Sequence, residues 1–240
     1  MERVSLAPGV QAIDLALLVK DRLIISDVHL GYEDSLQAEG VFLPKFQLKD
    51  TMERLERILK EAKPKVVVIS GDLKHEFGRI SSQEWRDILK LIDLILQYAD
   101  KIVIVKGNHD PILGPIARKR GIELVREHRI GDVLVAHGDY EPELGKGNKG
   151  IKTIIMGHEH PAITVEDKVR RERFKCFLVG KYRRRTLIAQ PSFFLLTEGS
   201  DVLKERLLSP LLRRDLGDFD VYIVEDKVYH FGKLKNIRQK

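Results

Sequence analysis

The chain has 240 residues, of which 43% are hydrophobic and 32% charged, and a formal net charge of +6. That length and apolar content suffice for one domain with a packed interior and exclude a disordered chain, while the charge admits an anionic partner without requiring one. A single cysteine, Cys176, excludes an intrachain disulfide, no apolar run approaches the ~20 residues of a bilayer crossing, and the opening MERVSLAPGVQAIDLALLVKD has no secretory pattern, so a cytoplasmic protein is expected.

Taken in chain order, five runs rich in Val and Ile each end in a polar cluster: RLIISDVH (22–29), KVVVISGD (65–72), KIVIVKGNHD (101–110), DVLVAHGD (132–139) and KTIIMGHEH (152–160). Continuous apolar runs of this length, bounded by Gly or polar groups, predict strands buried on both faces. Between the first two, FQLKDTMERLERILKEAKP (46–64) places Met52, Leu55, Ile58, Leu59 and Ala62 at helical spacing, with Pro64 just beyond. Between the second and third, SSQEWRDILKLIDLILQYAD (81–100) opens on Ser81 and Glu84 in capping-box spacing and repeats Trp85, Ile88, Leu89, Ile92 and Leu96. These are βαβ crossovers, and the polar clusters then gather outside the carboxyl ends of the strands, where open α/β sheets bind ligands. Beyond residue 160 the pattern changes. ITVED, FKCFLVGKYRRRTLIAQP and DVYIVEDKVYHFGKL predict hairpins turning at Gly-Lys and Glu-Asp, and 200–218 a helix or irregular excursion. One α/β domain over residues 1–240 is expected, its C-terminal part from about residue 161 completing a second, mainly antiparallel sheet.

Each polar cluster has an ordinary explanation by itself. Asp27-x-His29 and Gly71-Asp72 suit turns, Gly107-Asn108-His109-Asp110 suits an Asn/Gly turn, and His137 suits a hydrogen-bonded core histidine. His158 and His160 are less ordinary: two apart on an extended backbone they face one side, and two imidazoles there gain most by sharing a cation. Distribution decides the matter, because five of the eight histidines, His29, His109, His137, His158 and His160, fall at these strand ends. With Asp27, Asp72 and Asn108 they form a nitrogen and oxygen set of the kind that holds two borderline divalent ions.

The order Asp-x-His, Gly-Asp, Gly-Asn-His-Asp, His, Gly-His-x-His over residues 27–160 resembles that of the calcineurin-like metallophosphoesterases. DVHLGYE with EGVFLP, GDLKHEF, GHEHPAI, KCFLVG and PSFFLLTEGSDV are similar to the SbcD-related and PdeM-like branch of that family. The resemblance implies a four-layer αββα sandwich of two mixed sheets flanked by helices. It implies Asp27, His29 and His160 on a first metal ion, Asn108, His137 and His158 on a second, and Asp72 bridging the two. It further implies a hydrolase that cleaves phosphodiester bonds with a hydroxide shared by the ions, His109 protonating the leaving oxygen. Asp110 either orients His109 or shapes the turn. Two divalent ions bring four positive charges, two carboxylates return two, and the neutral Asn108 carbonyl keeps the hole positive for phosphate. The mixed ligands favour Mn2+, with Fe, Zn, Ni and Mg as alternatives.

The substrate is less defined by the residues. His75 in GDLKHEF is either a substrate contact or a surface-loop histidine. Arg183 and Arg184, with Arg170, Arg171, Arg173 and Arg185, form a basic stretch that suits either a nucleic-acid backbone, as single-stranded DNA or RNA, or a solvated face. A nuclease, a small cyclic-nucleotide phosphodiesterase and a phosphomonoesterase all stay open, as does a homodimer. A protein-binding scaffold with a decayed site is the reading from another class, and the filled ligand positions oppose it. GKGNKG (145–150) lacks the Gly-Lys-Ser/Thr ending and is not a P-loop. Glu159, facing away from its neighbours on an extended backbone, is expected to support the site at most indirectly.

Overall fold

The computed structural model describes residues 1–41, 44–77, 80–110, 112–145, 148–166 and 170–237. Phe42 and Leu43 of EGVFLP, Lys146 and Gly147 of GKGNKG, and Asp167 of ITVED lie outside the described residues.

The chain opens with a meander that the sequence pattern hid. β1 (Val4–Ala7), β2 (Val10–Ile13) and β3 (Ala16–Val19) run antiparallel, one after another, into β4 (Arg22–Ile25). Strands of four residues are too short for alternation to register, and their turns use positive φ at Gly9, Asp14 and Lys20 rather than an Asn-Gly signature. After α1 (Tyr32–Ala38), α2 (Gln47–Ala62) carries the chain to β5 (Val66–Ser70) and α3 (Ser82–Ile95) to β6 (Lys101–Val105), with β4, β5 and β6 parallel. Helix α2 buries Leu55, Ile58 and Leu59 and stops at Lys63, which is left-handed, before Pro64 bars any continuation. Helix α3 begins on the Ser81–Glu84 capping box, both of whose reciprocal hydrogen bonds form. Helix α4 (Gly114–Arg120) leads to β7 (Glu123–Val125), completing a seven-stranded sheet in the order β1-β2-β3-β4-β5-β6-β7.

The second sheet starts earlier than expected, because the fourth and fifth apolar runs belong to it. β8 (Glu127–Ile130), β9 (Val133–Ala136) and β10 (Thr153–Met156) precede β11 (Pro161–Glu166), β12 (Arg171–Tyr182), β13 (Arg185–Ala189) and β14 (Ser200–Asp201). Their order is β14-β11-β12-β13-β10-β9-β8, and β15 (Asp220–Val224) and β16 (Val228–Lys233) extend from β12 before the short α5 (Leu234–Ile237). Strands β9, β10 and β13 are parallel, and hairpin strands surround them, so both sheets are mixed. Gly180 and Lys181 do not form the β12–β13 turn; they pair within the ladder, and the turn falls at Arg183 and Arg184, with Arg183 at φ 55°. Residues 202–218 are irregular, not helical.

Neighbouring side chains of a strand point to opposite faces, so the second sheet feeds two cores. Val133, Val135, Ile155, Phe177, Val179 and Ile188 join the main core with the first sheet and α2 and α3. Leu134, Ile154, Met156, Cys176, Leu178 and Leu187 face outward, where Leu211, Leu212, Leu216 and Phe219 of the irregular segment cover them. Each such buried aliphatic side chain stabilises the fold by ~1.5–3 kcal/mol before entropy is counted. Among the described residues no helix is long and apolar enough to cross a membrane.

Candidate metal centre

Three strands of the first sheet and two of the second finish at one rim. β4 leads to Asp27 and His29, β5 to Asp72, β6 to Asn108 and His109, β9 to His137, and β10 to His158 and His160. The chain does not leave these strands extended. Asp27, His29, Asp72, His158 and His160 have φ of 53°, 49°, 48°, 65° and 50°, a region that costs a side-chain-bearing residue about 1 kcal/mol or more. The two-residue spacing of His158 and His160 therefore does not put them on one side of an extended strand. The kinked backbone sends His158 to His137 and His160 to His29.

This strain is held by backbone bonds between the loops. The N–H groups of Asp27 and His29 donate to the Gly71 and Asp72 carbonyls at 3.1 and 2.9 Å, and Gly157 N–H donates to the His137 carbonyl at 2.8 Å. His158 N–H donates to the Asp27 carboxylate at 3.0 Å, and a Cβ at Gly157 would overlap Ser26 Oγ and the same carboxylate, so only glycine fits there. Ser70 Oγ donates to the Ala136 carbonyl across the two sheets at 3.1 Å, and the Gln190 side-chain amide donates to the Leu15 and Ile24 carbonyls at 3.0 Å each.

The polar atoms converge in two places. His137 Nδ1 lies 3.1 Å from the Ser70 carbonyl, which fixes the proton on that nitrogen and leaves a lone pair on Nε2. Around that Nε2 stand Asn108 Oδ1 at 3.1 Å, His158 Nδ1 at 3.2 Å and Asp72 Oδ2 at 3.3 Å. On the other side, His29 Nε2 and His160 Nε2 are 3.3 Å apart, with Asp27 Oδ1 3.5 Å from the latter and Asp72 Oδ2 3.8 Å from the former. Ligand atoms about 2.1 Å from one cation stand roughly 3.0–3.4 Å from each other, so the place around His137 has the spacing of a coordination shell, and the one between His29 and His160, at 3.3–3.8 Å, is slightly wider. Three groups of side chains can each hold a cation: Asp27, His29 and His160; Asp72, His137 and His158; and His29, Asp72 and His109.

Electrostatics point the same way. Burial alone would lower the His137 pKa, but the hydrogen bond to Asp72 and the fields of Asp27 and Asp72 raise it to about 10, so Nε2 gives up a proton, and offers its lone pair, only in exchange for another positive charge. Burial, then His160, pull His29 down to about 3 against the attraction of Asp27 and Asp72. Burial would raise Asp27, yet His160, His137 and His29 hold it well below the usual carboxylate range, and Asp72 is lowered by His137 against the same burial. Two buried, ionised carboxylates among imidazoles call for positive charge at the rim.

His109 stands at the mouth, its Nε2 3.9 Å from Asp72 Oδ2 and its backbone N–H donating to Asp72 Oδ1 at 2.9 Å. The His75 carbonyl, not Asp110, meets the His109 ring at Nδ1. Asp110 is buried and accepts the N–H groups of Leu73 and Gly107 at 3.1 Å each, tying the loops after β5 and β6 together. Burial and Asp72 push its pKa up to about 6. His75 turns into the site instead of lying on the surface, its ring centroid 5.5 Å from that of His29 and 4.8 Å from that of Tyr32. Glu159 is buried and accepts the N–H groups of Leu208 and Ser209 at 2.9 and 2.8 Å, fastening the irregular segment to the rim.

Arg183 and Arg184 are not brought to this place. They turn at the end of the second sheet where β10 and β13 begin, whereas the imidazoles stand where β10 ends, about 17–20 Å further along the strands. Arg183 pairs there with Glu141 at 3.0 Å. Phe77 and Phe194, marked in the sequence only by their place inside GDLKHEF and PSFFLLTEGSDV, line a pocket of about 380 Å³ with His29, His75, His109, His158 and His160.

No curated protein sequence matches the chain. Among solved structures, the nuclease MPE of Pseudomonas putida is similar with a TM-score of 0.68 and 19% identity, covering 96% of this chain and 99% of that one. YfcE, a phosphoesterase from E. coli, has a TM-score of 0.43 and 11% identity, covering 85% of this chain and 88% of that one. The first likeness shows a shared fold. Residues 22–162, more than half of the chain and the span that holds every residue of the converging cluster, match the model of the calcineurin-like phosphoesterases, and the chain belongs to that family of phosphate-ester hydrolases.

Proposed function

We propose that the protein hydrolyses phosphodiesters with two divalent metal ions and that it falls, by its GDLKHEF, GHEHPAI and PSFFLLTEGSDV motifs, in the SbcD-related and PdeM-like branch. The observation that carries this reading is the meeting of lone-pair donors at His137 Nε2, with an amide oxygen, a carboxylate oxygen and a second imidazole nitrogen 3.1–3.3 Å away. With the Nδ1 proton committed to Ser70, a cation reconciles them. Asp27, His29 and His160 would hold one ion, Asn108, His137 and His158 the other, and Asp72 both. The donor set fits borderline divalent ions, Mn2+ ahead of Fe, Zn, Ni and Mg.

Bound there, the ions supply Lewis acidity toward phosphate oxygens and make a water acidic enough to attack near neutral pH. The chain's own residues do the rest. Asp27 and Asp72 stay ionised, the neutral Asn108 side chain leaves the rim net positive for an anion, and the His75 carbonyl holds the His109 ring so that its other nitrogen faces the leaving oxygen. The substrate class is a short phosphodiester or single-stranded DNA or RNA in the cytoplasm.

Metal analysis beside assays of a chromogenic phosphodiester and the matching monoester, with each metal in turn, tests this reading. Two ions per chain and faster diester turnover are expected. His109→Ala should keep both ions yet lose about 100- to 10,000-fold in turnover on esters with poor leaving groups. Fewer than two ions in metal-replete protein, or a preference for the monoester, would sink it.

A further inference from the structure

The pocket has an apolar mouth that the ligand set does not need. Phe77 is 60% exposed and Leu208 is 58% exposed, yet both line the same cavity of about 380 Å³ as His109 and the ligand imidazoles. Solitary exposed hydrophobic residues are common on proteins and need no explanation. These two differ by position. Phe77 follows β5 on the first sheet's side of the mouth, and Leu208 lies on the second sheet's side, its backbone fastened by Glu159. The Phe77 ring is seated on His109, centroids 3.6 Å apart and planes 34° from parallel, so one face is packed and the other is open. Behind it, Tyr32 sits edge-on to His75 and Phe194 at 4.8 and 5.0 Å, which braces the wall of rings.

Resting on the phosphodiesterase reading, we infer that Phe77, opposed by Leu208, is a stacking platform for a flat aromatic group on the leaving side of the diester, a nucleobase being the class that fits. His109 faces the leaving oxygen, so whatever that oxygen carries passes against the ring packed on His109. An aliphatic alcohol gains little from such a ring, whereas a base on an aromatic side chain gains about 5- to 150-fold in affinity. Stacking of this kind reads no sequence and needs an unpaired base. The platform therefore selects single-stranded ends over duplex interior without preferring one base.

The test gives metal-replete protein a dinucleoside monophosphate and the same diester whose leaving nucleoside lacks its base. Wild-type kcat/KM should favour the base-bearing diester by roughly tenfold, expressed in KM. Phe77→Ala should cut that ratio by about fivefold or more, Phe77→Trp should keep it, and Leu208→Ala should cut it less. An equal loss on both diesters would mean that the ring only props His109, and it overturns the inference, as does an unchanged ratio. If wild-type protein cleaves neither diester, the phosphodiesterase reading fails by itself. Calorimetric titration of metal-loaded protein with thymidine 5′-monophosphate and with 2-deoxyribose 5-phosphate then decides the platform. Tighter nucleotide binding that Phe77→Ala abolishes keeps it, and equal binding of the two ligands overturns it.

Discussion

At one end of the second sheet, β10 finishes in His158 and His160 at φ 65° and 50°; at the other, β12 turns into β13 through Arg183 at φ 55°. Backbone strain is the same in kind at both ends. Surroundings differ: Arg183 has a side chain 58% exposed and pairs with Glu141, whereas His137, Asp27 and Asp72 around the histidines are buried. At the exposed turn, water satisfies whatever polar groups the kink frees. At the buried end, the kinks aim nitrogens at one another, His160 Nε2 to within 3.3 Å of His29 Nε2 and His158 Nδ1 to within 3.2 Å of His137 Nε2. Left-handed residues therefore mark a site where the side chains they aim meet one another beside buried carboxylates.

The comparison breaks most sharply at His137. His137→Ala removes the nitrogen around which the second shell closes, so bound metal should fall from two ions to about one and turnover by more than about a hundredfold. Metal analysis with kinetics checks this, and two retained ions would show that the convergence is mere packing. Asn108→Asp has a smaller expected effect of opposite logic. Both ions stay, bound at least as tightly, while the added negative charge repels phosphate and lowers kcat/KM by about tenfold. A variant as active as wild type would remove Asn108 from the shell.

Much of the buried end is legible in the sequence, because a polar group that interrupts a continuous apolar run leaves a mark in one dimension. Asp27, Asp72, Asn108, His137, His158 and His160 all carry that mark, and the structure brings their polar atoms together. The sheet to which each run belongs is not legible, since β9 and β10 have the same buried, parallel pattern in the second sheet that β5 has in the first. Nor is the aromatic wall: Tyr32 opens α1, Phe77 and Phe194 come from two loops, and no spacing links the three. The arginines mislead for the opposite reason. Arg171 and Arg173 are close to Arg183 and Arg184 in sequence, but the 12 residues of β12 hold them at opposite ends, separated by roughly 33–40 Å of strand.

Lys175 sharpens the contrast with a charge of the other sign. On β12 opposite Ala162, it donates to Ser192 Oγ at 2.7 Å, and burial, then Arg54, push its pKa down to about 7 against Asp27 and Glu198. The folded chain thus binds this proton less tightly than the unfolded chain, whose lysine has the ordinary value of 10.5. Its contribution to stability rises as pH climbs from about 7 to 10.5, and below 7 the charged form is a standing cost. Lys175→Met should raise the melting temperature at pH 6 by a few degrees, roughly 2–4 °C per kcal/mol for a chain of this size, with the gain fading above about pH 10. A lower melting temperature at pH 6 would mean that the Ser192 bond outweighs desolvation.

The smallest effect is expected at the exposed end, and it discriminates best between substrates. Arg183→Ala combined with Arg184→Ala should leave kcat/KM on a short diester within about twofold, because the turn lies some 17–20 Å from the imidazoles. For single-stranded DNA the same variant asks whether the strand runs on past the rim. If the chain of nucleotides stops at the pocket mouth, the salt dependence of binding stays unchanged. If it continues along the sheet, losing two phosphate contacts lowers the slope of log affinity against log salt by about 2. An altered slope with an unaltered short-diester rate would make the two ends of the sheet one interface, joined by the substrate instead of by the fold.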